Sequence, residues 1–141
     1  MKIYDCFTYF DEDLILDTRL NILNDYVDYF VIVESTFNHN GESRQLKFDI
    51  NKFEKFKKKI KYVVWDKIPE DIEKINTDDE ELVKEHKFNN NAVRRDNGQR
   101  NYVEKGLEDA DENDLILLSD LDEIPFLNKI DLRKIKNKII I

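Results

Sequence analysis

Glycine and proline are scarce in this chain, with three and two residues among 141. Collagen-like, linker-rich and low-complexity chains all need more of both, so these classes are excluded. Cysteine occurs once, at Cys6. No internal disulfide can form, and no oxidising compartment is required. Cys6 falls in a predicted strand, where a small buried thiol is the expected reading rather than a nucleophile. The two histidines, His39 and His86, stand in polar stretches without the spacing of a zinc site or a catalytic triad. Both read as surface residues. No apolar run approaches the roughly 18 residues of a membrane-spanning helix. Asp5, Asp11, Glu12 and Asp13 interrupt any apolar leader. The expectation is a cytoplasmic protein with no transmembrane segment. Positive charge is also short. A net charge of −8 argues against nonspecific nucleic-acid binding, which needs a basic face to displace counterions.

Hydrophobic residues make up 40% and charged residues 38%, enough for a real core under a densely charged surface. Residues 1–141 are read as a single domain. A β-former-rich run at 3–10 is a first strand. Acids at Asp11 and Asp13 then open a helix, with Leu16, Leu20, Leu23 and Val27 along one face. The apolar runs 29–33 and 62–65 give second and third strands, separated by a loop at 36–50 and a short basic helix at 52–59. Residues 66–90 are polar and acidic and read as loop with a helical turn or two. A helix is expected over 91–110, with Val103, Leu107 and Ala110 on its buried face. The alternation of strands and helices predicts an α/β fold with a mostly parallel sheet.

The most informative stretch is Asp114-Leu-Ile-Leu-Leu-Ser-Asp-Leu-Asp-Glu-Ile-Pro125. Leu115 to Leu118 form the unbroken apolar strand of a sheet covered on both faces. Asp120, Asp122 and Glu123 follow at once, before Pro125 stops the ladder. Ligands of open α/β sheets sit at the carboxyl ends of the strands. Two carboxylates there, one residue apart, suit a hard divalent cation, Mn²⁺ or Mg²⁺, that takes its remaining ligands from water and a substrate's phosphates.

Taken together, Ile3-Tyr-Asp-Cys-Phe-Thr8, Arg19-Leu-Asn21, Phe30-Val-Ile-Val-Glu-Ser35, Gln99-Arg-Asn101 and Ser119-Asp-Leu-Asp-Glu-Ile-Pro125 resemble the ordered motifs of glycosyltransferase family 17. The resemblance spans essentially the whole chain. It implies a GT-A-like (Rossmann-like) fold, a UDP-sugar donor, transfer of N-acetylglucosamine to a glycan or glycoprotein acceptor, and inversion. It also implies that the domain continues past residue 141. The chain is therefore expected to be the nucleotide-sugar-binding half of a truncated domain, marginally stable and a possible homo-oligomer.

By position and by this resemblance, Asp120 and Asp122 are the expected metal and diphosphate ligands. Glu123 is a candidate for orienting the site, or a cap of its own turn. Thr8 and Glu34 close the first and second strands and are candidates for nucleoside contact. Arg95, Gln99 and Arg100 precede the carboxylate strand and are candidates for the donor's phosphates, since arginine suits bidentate phosphate contact. Arg19 is expected to be buried against an acid. Two alternatives stand beside the transferase: a non-catalytic remnant that binds nucleotide or a partner protein, and a phosphatase of the haloacid dehalogenase type. The phosphatase needs further strands behind its Asp-x-Asp motif, and only 19 residues follow Asp122 here.

Overall fold

The computed structural model describes residues 1–135. Four strands form one all-parallel sheet: β1 (Ile3–Tyr9), β2 (Tyr29–Ser35), β3 (Ile60–Trp65) and β4 (Leu115–Leu118), in spatial order β3-β2-β1-β4. β1 pairs β2 from Tyr4↔Tyr29 to Tyr9↔Glu34, and on its other side pairs β4 from Ile3↔Leu115 to Cys6↔Leu118. The α/β, Rossmann-like expectation is met. Two helices complete the frame, α1 (Asp13–Leu23) and α2 (Glu81–Asn101).

Because strand side chains alternate between faces, β1 divides its residues between two cores. Ile3, Phe7 and Tyr9 face α1, packing with Leu16, Leu20 and Leu23 and with Phe30 and Ile32 of β2. Tyr4 and Cys6 face the opposite way, with Val31, Val33, Trp65 and Val103. The chain crosses one face between β1 and β2 and the other between β3 and β4. Both faces are thus covered, which is why apolar and aromatic residues dominate every strand. Cys6 is fully buried, as expected, and burial pushes its thiol well above the usual range.

Three element boundaries differ from the sequence reading. α1 ends at Leu23, and Val27 is buried from the turn that follows it. The basic segment is a 3₁₀ stretch, Ile50–Phe56, rather than an α-helix. Phe53 leaves helical geometry there (φ −120°, ψ 32°) so that Phe53 and Phe56 can both reach the core. The third helix begins at Glu81, ten residues before the predicted start, and gives way to a 3₁₀ segment at Tyr102–Gly106. That helix has one buried residue, Asn91. Its amide takes both backbone groups of Glu73, accepting from the N–H at 2.8 Å and donating to the C=O at 2.8 Å. Arg94 adds ion pairs to Glu73 (2.6 Å) and Asp71 (2.9 Å), and Lys87 pairs with Asp79 (2.7 Å). The polar 66–80 segment is therefore docked by polar bonds. The Lys138-Ile-Ile-Ile141 run that ends the sequence also reads as the beginning of a strand, and it lies outside the described residues.

Candidate active site

In the order β3-β2-β1-β4, the chain turns back across the sheet between β1 and β4. Open α/β sheets bind ligands at this switch point, in the crevice beyond the carboxyl ends of the strands. A cleft of about 450 Å³ opens there. Thr8, Tyr9 and Phe10 enter it from the end of β1, and Asp120, Leu121 and Asp122 from the end of β4. Asp96, Gln99 and Arg100 come from the last turns of α2, and Glu12 and Ile15 from the start of α1. Of the eight residues singled out in the sequence, Thr8, Gln99, Arg100, Asp120 and Asp122 meet in this one cleft.

The carboxylate turn is shaped from below by Arg19. This side chain is fully buried on α1, on the face that also carries Leu16, Leu20 and Leu23. Its Nε and Nη2 donate to the two oxygens of Asp5 in β1, each at 2.8 Å. Nη2 also donates to Ser119 Oγ (2.7 Å). Nη1 donates to the carbonyls of Asp120 (2.7 Å), Leu121 (3.0 Å) and Glu123 (3.3 Å). One guanidinium thus ties the central strand to the backbone that carries Asp120 and Asp122. Asp5 is also fully buried. Burial pushes its carboxyl upward against the opposing pull of Arg19. The expectation for Arg19, burial against an acid, is met. Its grip on the turn, through Ser119 and three carbonyls, was not foreseen.

Three predicted site residues stand elsewhere. Glu34, read as a nucleoside contact, is fully buried. Its oxygens accept from the amides of Lys47 (2.7 Å) and Phe48 (3.1 Å) and from the Tyr62 hydroxyl (2.8 Å). Arg44 pairs with it at 3.1 Å. It holds the 36–48 loop onto the sheet and has no face toward the cleft. Arg95, read as a phosphate contact, instead donates to the carbonyl of His39 at 2.9 Å. Its guanidinium lies where a Cβ on Gly41 would sit, and Gly41 takes the left-handed φ of 88° that closes the 38–42 turn. That turn brings His39 to the cleft, so a residue read as plain surface is part of the lining. Glu123 caps its own turn, accepting from the Asp120 amide at 3.0 Å.

Signals for the missed residues were present. A charged residue at a buried periodic position, such as Arg19 or Asp5, implies an internal partner. Asp96 stands at i−4 from Arg100, where helical neighbours meet.

Arg100 is the polar centre of the cleft. Its Nη1 lies 2.7 Å from Asp120 Oδ1 and its Nη2 3.5 Å from Asp96 Oδ2. Partial burial alone would lower its basicity, but the bond to Asp120 and the charges of both acids outweigh that and raise it. Gln99 donates to the Val33 carbonyl at 3.0 Å, which seats α2 on the end of β2. As a cation site the cleft offers two carboxylates, Asp120 and Asp122. No cluster of three His, Cys, Asp or Glu forms a protein-only cage among the described residues. That donor set fits a hard cation that keeps waters and shares a phosphate ligand, and does not fit a structural metal.

No curated protein and no solved structure matches this chain. A family model does, and it covers residues 1–140. That match agrees with the Rossmann-like sheet and with the motifs that carried the resemblance. The chain belongs to glycosyltransferase family 17 and is a glycosyltransferase domain.

Proposed function

We propose that this glycosyltransferase is metal-dependent and transfers a sugar, N-acetylglucosamine by family resemblance, from a UDP-sugar to a glycan acceptor with inversion. The observation that carries the donor reading is the meeting of Asp120, Asp122 and Arg100 in a single cleft at the switch point. A nucleoside diphosphate needs an aromatic or polar bed for its base and positive charge for its phosphates. Phe10 lies at the rim, 44% exposed, with the Arg44 guanidinium stacked 4.0 Å from its ring centroid. It is suited to face a base, with Thr8 and Gln99 as polar neighbours. Asp120 and Asp122 would hold Mn²⁺ or Mg²⁺, which when bound neutralises the diphosphate and makes UDP a better leaving group. Arg100 supplies a permanent positive charge within reach of the phosphates. Arg19 keeps the carboxylate turn in place without touching substrate.

Calorimetry with UDP tests the reading. Binding is expected to be tighter with Mn²⁺ than with a chelator, and Asp122→Asn should remove most of that difference while the melting temperature stays close to wild type. Equal UDP affinity with metal and with chelator would refute metal dependence. Failure to bind UDP under either condition would refute the donor.

A further inference from the structure

Asp120 faces two opposed demands. It is one of two carboxylates in the cleft available to a divalent cation, yet its Oδ1 already lies 2.7 Å from Arg100 Nη1. A guanidinium and a divalent cation on the same carboxylate oxygen would repel each other strongly, so a cation that takes Oδ1 displaces Arg100. The charge of the lining sharpens this. Glu12, Asp96, Asp120 and Asp122 stand against one guanidinium, Arg100, a balance of four negative groups to one positive. An entering diphosphate meets mostly like charge, and Arg100 is the cation among these lining residues that attracts it. Asp96, 3.5 Å from Nη2, keeps the guanidinium inside the cleft when it leaves Asp120.

We infer that Arg100 is a lock on Asp120 that the donor's diphosphate opens, so that metal and donor bind as a coupled pair rather than independently. The inference rests on the donor and metal reading above. Metal alone that takes Oδ1 must displace Arg100 from Asp120 and leave it, of its present partners, only the looser contact to Asp96. With diphosphate present, Arg100 moves to the phosphates and Asp120 is freed for the cation. By linkage the effect is reciprocal: metal favours donor by the same factor that donor favours metal. Arg100 is in this sense a positioning residue for the metal, acting through Asp120.

The test is a thermodynamic cycle by calorimetry on the full chain, with Mn²⁺ and UDP titrated separately and together. It is run on wild type, Arg100→Gln and Asp96→Asn. The readout is the coupling factor, the ratio of Mn²⁺ affinities with and without saturating UDP. Complexation of Mn²⁺ by UDP in solution is common to all three proteins and cancels in the comparison. Wild type should show coupling on the order of tenfold or more beyond that common part. Arg100→Gln should tighten Mn²⁺ binding alone and bring the coupling down toward the common part. Asp96→Asn, which leaves Arg100 with Asp120 alone, should raise it. Altered net charge shifts both Mn²⁺ affinities together and does not move their ratio. The same coupling in Arg100→Gln as in wild type, with metal-dependent UDP binding intact, overturns the lock and leaves the proposed function standing. Absence of metal-dependent UDP binding in wild type overturns both. Should Arg100→Gln fail to fold, the Asp96→Asn ratio decides: no rise above wild type overturns the lock.

Discussion

At the scale of single residues, Arg19 shapes this site without lining it. It holds Asp5, Ser119 and the carbonyls of Asp120, Leu121 and Glu123 from a fully buried position. Removing it strands a buried carboxylate, a defect that typically costs about 3–5 kcal/mol. Arg19→Ala should lower the urea midpoint accordingly, with the m value unchanged. The double variant Asp5→Leu/Arg19→Met removes the stranded charge and should recover part of that loss. UDP binding with Mn²⁺ should not recover with it, because the carbonyls of the carboxylate turn have lost the Arg19 guanidinium in both variants. If stability and UDP binding return together in the double variant, Arg19 serves only to neutralise Asp5.

At the scale of elements, α2 sits where it does because Gly98 lets it approach β3. A Cβ there would lie 2.7 Å from Cζ2 of Trp65, which is buried. Two effects oppose each other in Gly98→Ala. Alanine is the better helix former by about 1 kcal/mol, while overpacking a buried ring costs about 1–3 kcal/mol. A net loss of stability of roughly 1 kcal/mol is expected, with weakened UDP binding, since Asp96, Gln99 and Arg100 ride on the displaced turns. Denaturation and calorimetry on the same variant check both parts. Gly98 also shows what can be read in advance from sequence. The four strands were legible because a doubly covered parallel sheet leaves runs dominated by apolar and aromatic residues. The Asp120–Asp122 turn was legible because it follows one of those runs directly. The first ten residues of α2 were not, since the helix buries one residue, Asn91, and has no apolar period to betray its start. Glu34 misled for a related reason. A carboxylate at a strand end looks exposed until a loop folds back and offers it the amides of Lys47 and Phe48.

At the scale of the whole molecule, remote parts of the chain are joined by carboxylates that prefer to stay ionised. Lys52 and Tyr9 hold Asp13 below the usual carboxylate range, Arg94 does so for Glu73, and Lys87 for Asp79. Lys61 acts likewise on Asp109, and the amides of Asp111 and Lys2 act on Asp114. In each case the folded value lies below the unfolded one, so the unfolded chain binds more protons. The stabilisation is present above the unfolded values, near pH 4, and is lost as pH falls through the folded ones. Asp5 has the opposite sign, being raised by burial. It is one group against five. The melting temperature should therefore drop on acidification below about pH 4, as scanning calorimetry from pH 7 to pH 3 would show. A flat profile across that range would mean that these pairs are as strong in the unfolded chain.

The sheet order also has a consequence in time. Asp5 and Arg19 lie 14 residues apart, whereas Arg19 reaches the carbonyls of the carboxylate turn across 101 to 104 residues. At a synthesis rate of about 5–20 residues per second, roughly 5–20 s separate the two halves of that junction on the ribosome. β1, α1 and β2 can assemble in the interval, because their pairings are local. The edge of β1 that will receive β4 stays open throughout, with two of the Arg19 donors awaiting their acceptors. Among the described residues, the carboxylates of the proposed reaction are thus the last part of the cleft to be made, and they arrive at a socket already built.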